Sequence, residues 1–125
     1  MTSIDTLATT EFCYLTTRGR RTGSPHRIEI WFVAYDGAVY LMSASDRSDW
    51  YRNLVADPSV TLEIAGDARG TTAAPVAADD PTIGSVRASM VQKYQPGYAD
   101  DLDRWSRTAR LVRVEWPDAD AAGSS

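Results

Sequence analysis

The sequence has very few of the residues that build disulfides and metal sites. Cysteine and histidine occur once each, as Cys13 and His26. A single cysteine excludes an internal disulfide, and the two side chains together are too few for a zinc site of the usual kind. A Ser-His-Asp triad would have to use His26 alone. We therefore expect no bound metal, and we expect Cys13 to pack as a small apolar residue.

The chain also lacks long apolar runs and an excess of positive charge. No apolar run approaches the roughly 20 residues that a membrane-spanning helix needs. The net charge is −4 and the pI is about 4.8, which disfavours a general nucleic-acid binder because such a protein needs a broad basic face. The first ten residues carry Asp5 and no basic group. We expect a cytoplasmic protein without stable membrane anchoring.

The positive charge that is present is concentrated in one short segment. No acidic residue occurs between Phe12 and Ile28, and four arginines fall within ten residues: Arg18, Arg20, Arg21 and Arg27. Gly19 and Gly23 allow the backbone to turn N–H groups toward one point, and arginine side chains bind phosphate oxygens well. The segment is typical of an anion-binding turn. Similar turns also connect strands without binding anything, and the turn alone favours that plainer interpretation.

The remaining pattern predicts one domain over residues 11–117, a flexible N-terminus at 1–10 and a disordered tail at 118–125. Strands are predicted at 12–17, 26–35, 38–43, 59–64, 68–76 and 109–116, and helices at 48–56, 79–94 and 98–105. Asp36-Gly37 predicts a tight hairpin, and Ser45 or Asp46 is expected to cap the first helix. About six strands with two or three short helices favour a mainly β fold, a closed or partly closed antiparallel barrel.

Three blocks in this order resemble the deazaflavin-dependent nitroreductase family. They are the run from Leu15 to Pro25 (LTTRGRRTGSP), the pair Asp36-Gly37, and the run from Trp50 to Val60 (WYRNLVADPSV). The resemblance extends over residues 15–117. It implies a split β-barrel, the fold also found in flavin-binding pyridoxamine-phosphate-oxidase-like proteins.

The resemblance also implies a cofactor and the residues that bind it. In that family the arginine turn holds the phosphate of coenzyme F420, the following strand lies along the deazaflavin ring, the tryptophan of the third block is near the cofactor, and the asparagine fixes the start of the helix. Glu29 stands where the family often has proline; we expect its carboxylate to face solvent rather than the ring. The implied cofactor-binding residues are Arg18, Arg20, Arg21, Thr22, Gly23, Ile28, Glu29, Ile30, Ser45, Trp50 and Asn53.

The implied activity is transfer of hydride from reduced F420 to an electron-poor acceptor: a quinone, a nitroaromatic or an activated C=C bond. By the same resemblance Tyr94, Tyr98 and Trp105 line the substrate side, although their spacing alone would also suit an amphipathic core. Candidate proton donors are Tyr94, Tyr98, Ser43 and solvent.

Two alternatives remain open from the sequence. The same phosphate-binding turn could hold FMN, and the protein could be a non-catalytic carrier of a flavin, a deazaflavin or a haem-derived ligand. The exposed strand edges of a split barrel are also compatible with a homodimer.

Overall fold

A computed structural model describes residues 4–45, 47–97, 102 and 107–117 of the chain. Within these ranges seven strands form one antiparallel sheet in the order β2-β1-β5-β6-β7-β4-β3. The strands are β1 (Cys13–Arg18), β2 (Pro25–Ile30), β3 (Val33–Tyr35), β4 (Ala38–Ser43), β5 (Ser59–Ile64), β6 (Asp67–Pro75) and β7 (Arg110–Glu115). The helices are α1 (Ile4–Leu7), α2 (Asp49–Ala56) and α3 (Ile83–Tyr94), and a 3₁₀ turn (Gln95–Gly97) follows α3. The predicted mainly β fold is confirmed.

The long strand β6 curls this sheet into a half-barrel. Its first part pairs with β5, from Asp67 to Thr72, and its last part pairs with β7, from Ala73 to Pro75. One strand thus belongs to both halves of the sheet, and the twist that strands accumulate brings the two halves face to face. The curled sheet encloses one core and leaves β2 and β3 as its two edges.

The prediction of a single strand at 26–35 is wrong. This segment forms two strands, β2 and β3, so the sheet has seven strands rather than six. The strand is interrupted at Trp31 and Phe32, which connect β2 to β3. At this break the backbone groups of Phe32 bond to side chains instead of to a neighbouring strand. The Tyr94 hydroxyl accepts from the Phe32 N–H at 3.0 Å, and the Lys93 ammonium donates to the Phe32 carbonyl at 2.9 Å. Sequence alternation cannot reveal such side-chain partners because they lie about sixty residues away.

Strand β4 is buried along its whole length because it separates two hydrophobic clusters. Val39 and Leu41 point into the barrel interior, which also contains Leu15, Phe32 and Leu62. The alternate residues Ala38, Tyr40 and Met42 point outward against α3, which contributes Val86, Met90 and Tyr94. Opposite faces of one strand therefore support both cores, as a period-two side-chain pattern requires.

Several predicted boundaries need correction. The sequence predicted no helix in residues 1–10, yet α1 lies there and buries Ile4 and Leu7 in the barrel core; the flexibility expected for this segment stays a prediction. The N-cap of α2 is Ser48 rather than Ser45, and it makes no side-chain cap hydrogen bond. Helix α3 begins at Ile83, later than the predicted residue 79. The helix predicted at 98–105 lies largely, and the tail at 118–125 entirely, outside the described residues.

The turn predictions were more accurate. Asp36 and Gly37 adopt φ values of 50° and 81°, and they join β3 to β4 in the predicted hairpin. This pair of positive φ angles is the conformation that two-residue hairpins favour. Within the described ranges, no helix has both the length and the apolar character needed to cross a bilayer.

Candidate functional site

The arginine turn, residues 18–25, is closed by its own backbone. The Gly19 N–H donates to the Ser24 carbonyl and the Gly23 N–H donates to the Gly19 carbonyl, each at 2.8 Å. Gly23 has a φ of 76°, which a side chain would strain. A Cβ on Gly19 would lie 2.7 Å from Nε2 of His26. A larger residue at position 19 would therefore have to displace the exposed imidazole of His26, which lies against the Gly19 backbone.

A broad cavity of about 710 Å³ opens beside this turn. Residues of the turn, of β2 and of α2 line it: Gly19, Arg20, Arg21, Thr22, Pro25, His26, Arg27, Ile28, Asp49, Trp50, Arg52 and Asn53. We call it the arginine cavity. Four of these side chains are guanidinium groups and one is a carboxylate, so the lining carries a net positive charge.

Arg20 joins the turn to α2. Its Nη1 donates to the Asn53 Oδ1 at 2.8 Å and its Nη2 donates to the Asp49 carboxylate at 3.3 Å. Asn53 is almost completely buried, and its Nδ2 donates to the hydroxyl of the buried Thr17 on β1. The expectation that Asn53 fixes the helix start is wrong. It lies in the middle of α2, where it bonds the helix to both the turn and the sheet.

The other arginines of the cavity differ in their partners. Arg27 lies 4.0 Å from the ring centre of Tyr14 and pairs with Glu63 at 3.4 Å. Arg21 and Arg52 are exposed, and their side chains make no hydrogen bond or ion pair with any residue in the described part of the chain. Two cationic side chains, one from the turn and one from α2, are therefore available to an anionic ligand.

The predicted cofactor residues divide among several places. Six of them line the arginine cavity: Arg20, Arg21, Thr22, Ile28, Trp50 and Asn53. Arg18 and Gly23 instead line a separate cavity of about 340 Å³ between β1 and β5, where Arg18 lies 3.7 Å from the carboxylate of Asp57. Ser45 lines neither of these cavities; its backbone carbonyl accepts from the Ser43 hydroxyl at 2.5 Å.

Glu29 and Ile30 line a third cavity, of about 250 Å³, together with Phe12, Trp31 and Met42. We call it the apolar cavity because four of its five side chains are apolar. Glu29 is exposed at its rim, and its carboxylate accepts from the Tyr14 hydroxyl at 3.3 Å. The third cavity was not anticipated from the sequence.

The predicted proton donors that can be examined are both bonded within the protein. The Ser43 hydroxyl is buried and lies 2.7 Å from that of Ser48. Tyr94 is 7% exposed, lines neither the arginine cavity nor the apolar cavity, and bonds to backbone groups of Phe32 and Glu11. Burial raises the pKa of the Tyr94 hydroxyl to about 12, so it holds its proton at neutral pH. Tyr98 and Trp105 lie outside the described residues.

Sequence reasoning missed three residues of the arginine cavity: His26, Asp49 and Arg52. Two simple periodicities could have found them. His26 is two residues from Ile28 on a strand and thus shares its face, while Asp49, Arg52 and Asn53 are spaced three and four apart on one helix face. Among the described residues, no group of three or more histidine, cysteine, aspartate or glutamate side chains converges as a metal site.

The fold and this cavity define a class: a curled antiparallel half-barrel with a cationic cavity. Comparison with known proteins identifies the class further. The chain matches the profile of the F420H(2)-dependent quinone reductase family over residues 2–117. It is 31% identical over 103 residues to an F420H(2)-dependent quinone reductase of Mycobacterium tuberculosis strain H37Rv, covering 78% of this chain and 68% of that protein. The chain belongs to this family, and it is an F420-dependent oxidoreductase.

Solved structures support the fold at lower identity. An F420-H2 dependent reductase superposes with a TM-score of 0.65 at 17% identity, covering 83% of this chain and 93% of its own. The heme storage protein HutZ of Vibrio cholerae superposes with a TM-score of 0.74 at 18% identity, covering 93% and 89%. Because the same fold serves such different proteins, the fold alone does not decide between an enzyme and a carrier. The sequence relationship identifies an enzyme, and coenzyme F420 as its cofactor.

The residues present fit an anionic coenzyme. Arg21 and Arg52 are unpaired among the described residues, and the arginine cavity is large enough for part of a dinucleotide-sized molecule. The cationic donor set also agrees with the phosphate-binding role that the family resemblance implies for the turn.

Proposed function

We propose that the arginine cavity holds the phosphate-bearing part of coenzyme F420 and that the protein uses the reduced coenzyme to reduce a quinone. The pair Arg21 and Arg52 carries the proposal. These side chains come from different elements, line the same cavity and are not paired with any other described residue. A guanidinium group without a partner can bind phosphate through two parallel hydrogen bonds and need not first break an internal contact.

The neighbouring residues would orient the ligand. Arg20 and Asn53 fix α2 against the turn, so that Arg52 of the helix and Arg21 of the turn line the same cavity. The Thr22 Oγ1 accepts from the Ser24 N–H at 3.2 Å, which leaves the hydroxyl proton of Thr22 able to donate to a phosphate oxygen. Each of these groups acts on the ligand's position rather than on its chemistry.

When bound, the reduced coenzyme supplies the hydride. The chain would bind the anionic tail, orient the ring along β2 and exclude water from it with Trp50 and Ile28. The hydroxyls of Ser43 and Tyr94 are bonded inside the protein, so the proton that completes reduction would come from solvent or from Tyr98, the other donors expected from the sequence. Roles for Tyr98 and Trp105 stay predictions, as do the homodimer and the cytoplasmic location.

The test is titration of oxidised F420, reduced F420 and FMN into wild-type protein and into the Arg21→Ala and Arg52→Ala variants. Each variant should bind F420 more weakly by about 1.5–3 kcal/mol, roughly ten- to a hundredfold, through loss of a charge-assisted contact. The matched control is Arg113→Ala, which removes an exposed arginine that pairs with Glu115 outside the cavity. The control should bind F420 as the wild type does.

Salt provides an independent measurement. If Arg21 and Arg52 bind a phosphate at the surface, rising ionic strength should weaken wild-type binding more steeply than binding by either variant. Wild-type affinity for F420 in both variants, with the fold intact, would refute the assignment of the cavity. Tighter binding of FMN than of F420 by the wild type would refute the choice of coenzyme.

A further inference from the structure

The apolar cavity adjoins the arginine cavity along a single strand. Ile28 lines the arginine cavity and Ile30 lines the apolar cavity. The two residues point to the same face of β2, and both pack against the barrel core. They are about 7 Å apart along the strand, since a strand rises about 3.3 Å per residue. The two cavities are therefore neighbours along β2, with lining residues only two positions apart.

The two cavities differ in chemistry as well as in size. The apolar cavity offers aromatic and aliphatic side chains, with Glu29 as its one charged group. Its volume of about 250 Å³ is below the range of roughly 300–1,000 Å³ that is typical of whole drug-sized ligands. It has room for a small planar ring system, with any long substituent left outside, and none of its lining residues in the described part of the chain is cationic.

Trp31, the largest side chain of the apolar cavity, is held in place from behind. Its ring stacks on that of Tyr94 with centroids 4.3 Å apart and planes 7° from parallel. The Tyr94 hydroxyl in turn accepts from the Phe32 N–H at 3.0 Å and lies 2.7 Å from the Glu11 carbonyl, to which it can donate. The segment between β2 and β3, the chain before β1 and helix α3 thus meet behind one indole ring.

Lys93 completes this support. It is the only lysine in the chain. Its ammonium group donates to the Phe32 carbonyl at 2.9 Å and lies 3.7 Å from the centre of the Phe32 ring. Lys93 and Tyr94 therefore both hold in place the segment of Trp31 and Phe32 that connects β2 to β3. A rigid aromatic wall loses little conformational entropy when a second ring stacks against it.

We propose that the apolar cavity binds the ring of a neutral quinone acceptor, with Trp31 as the residue that contacts it and Tyr94 and Lys93 as positioning residues behind Trp31. This inference rests on the proposed function and specifies where its acceptor binds. The reaction balances: the quinone takes a hydride, which is two electrons and one proton, from the reduced coenzyme and takes one further proton, and the coenzyme that has lost the hydride releases its second hydrogen to solvent as a proton. The products are the hydroquinone and the oxidised coenzyme.

The experiment measures binding of 2-methyl-1,4-naphthoquinone by isothermal titration to protein saturated with oxidised F420, so that no turnover occurs. Replacement Trp31→Leu should weaken quinone binding by about tenfold or more, because it removes the aromatic contact. The affinity for F420 should change by less than about twofold, because Trp31 does not line the arginine cavity. In turnover assays KM for the quinone should rise accordingly.

Two further variants keep the test decisive. Trp31→Phe retains a ring that can stack on Tyr94, so it should fold and should lose about threefold in quinone affinity. Tyr35→Leu is the matched control: Tyr35 is a half-buried aromatic residue on the next strand and lines neither the arginine nor the apolar cavity. It should leave quinone binding unchanged.

The outcomes separate this inference from the proposed function. If the wild type binds F420 and reduces the quinone but both Trp31 variants bind the quinone normally, the acceptor lies elsewhere and only this inference falls. An equal loss of quinone affinity in the Tyr35→Leu variant would also overturn this inference, since the losses in the Trp31 variants would then reflect general destabilisation of the protein. If the wild type does not bind F420 at all, the proposed function itself has failed.

Discussion

The arginine cavity and the apolar cavity share strand β2 but are built in different ways. The lining of the arginine cavity comes from two stretches of chain, residues 19–28 and 49–53. The apolar cavity, about a third as large, gathers Phe12, residues 29–31 and Met42 from separate strands and their flanks. A local cluster of charge can attract an anion even through exposed side chains, whereas recognition of an uncharged ring depends on walls that tertiary packing has fixed.

The same contrast appears in the freedom of individual side chains. Arg21 and Arg52 are exposed, and their side chains make no hydrogen bond or ion pair with the rest of the described chain. Trp31 stacks on a buried tyrosine whose hydroxyl bonds to two separate segments. We therefore expect the arginine cavity to adjust to its ligand on binding, and the apolar cavity to select its ligand by shape. The predictions below test how independent the two cavities are.

The largest effect is expected in the buried support of the arginine cavity. Replacement Asn53→Leu removes the hydrogen bonds to Arg20 and to the buried Thr17, whose hydroxyl is then left without that donor. The free energy of unfolding should fall by about 1–3 kcal/mol, the cost of unsatisfied buried polar groups. Urea denaturation measures this, and F420 affinity should fall as well because α2 is no longer tied to the turn.

Val55→Ala is the matched control for this variant, since Val55 is 58% exposed on the same helix. It should change stability by less than about 0.5 kcal/mol. Binding of the naphthoquinone to folded Asn53→Leu protein should stay at the wild-type value. A parallel loss of quinone affinity would show that the two cavities are coupled through β2, which would break the distinction drawn above.

A smaller effect is expected at Glu29, the one charge of the apolar cavity. Because its carboxylate lies at the rim, Glu29→Gln should lower KM for a sulfonated naphthoquinone by roughly two- to fivefold through loss of charge repulsion. KM for the neutral quinone should not change, and the difference should shrink at high salt. Tyr14→Phe removes the hydroxyl that donates to Glu29 but keeps the charge, so it serves as the control.

An equal response of both quinones to Glu29→Gln would mean that the carboxylate acts on the reaction and not on the charge of the acceptor. A change in the pH dependence of turnover would point the same way. Either result would make Glu29 part of the chemistry, in contrast to the solvent-facing role expected from the sequence.

The sequence predicts features that depend on neighbouring residues better than features that depend on residues far apart in the chain. The arginine turn, the Asp36-Gly37 hairpin and the bounds of β4 and β5 depend on neighbouring residues, and all were predicted. The interruption of the strand at Trp31 and the stacking of Trp31 on Tyr94 depend on contacts between residues some sixty positions apart in the sequence, and neither was predicted. Arg20 shows the same limit: the motif predicts its presence at the site, while its pairing with Asn53 becomes visible only when α2 is docked.

The smallest effect concerns Lys93 and depends on pH. Burial lowers the pKa of its ammonium group from 10.5 to about 8. Between about pH 8 and 10.5 the unfolded chain therefore binds more protons than the folded one, and stability rises with pH through this window. Burial also raises the pKa of the Cys13 thiol from 9.0 to about 12, and Tyr94 shifts in the same direction, so both oppose the rise above about pH 9. The rise should thus be clearest from about pH 8 to pH 9.

Urea denaturation of wild-type and Lys93→Met protein across this range should show the difference between their unfolding free energies changing in favour of the wild type. A difference that is constant with pH would mean that Lys93 titrates normally and that its contacts with Phe32 do not shield it from water. Quinone affinity measured over the same range would then show whether the apolar cavity depends on the charge of Lys93 or only on its packing.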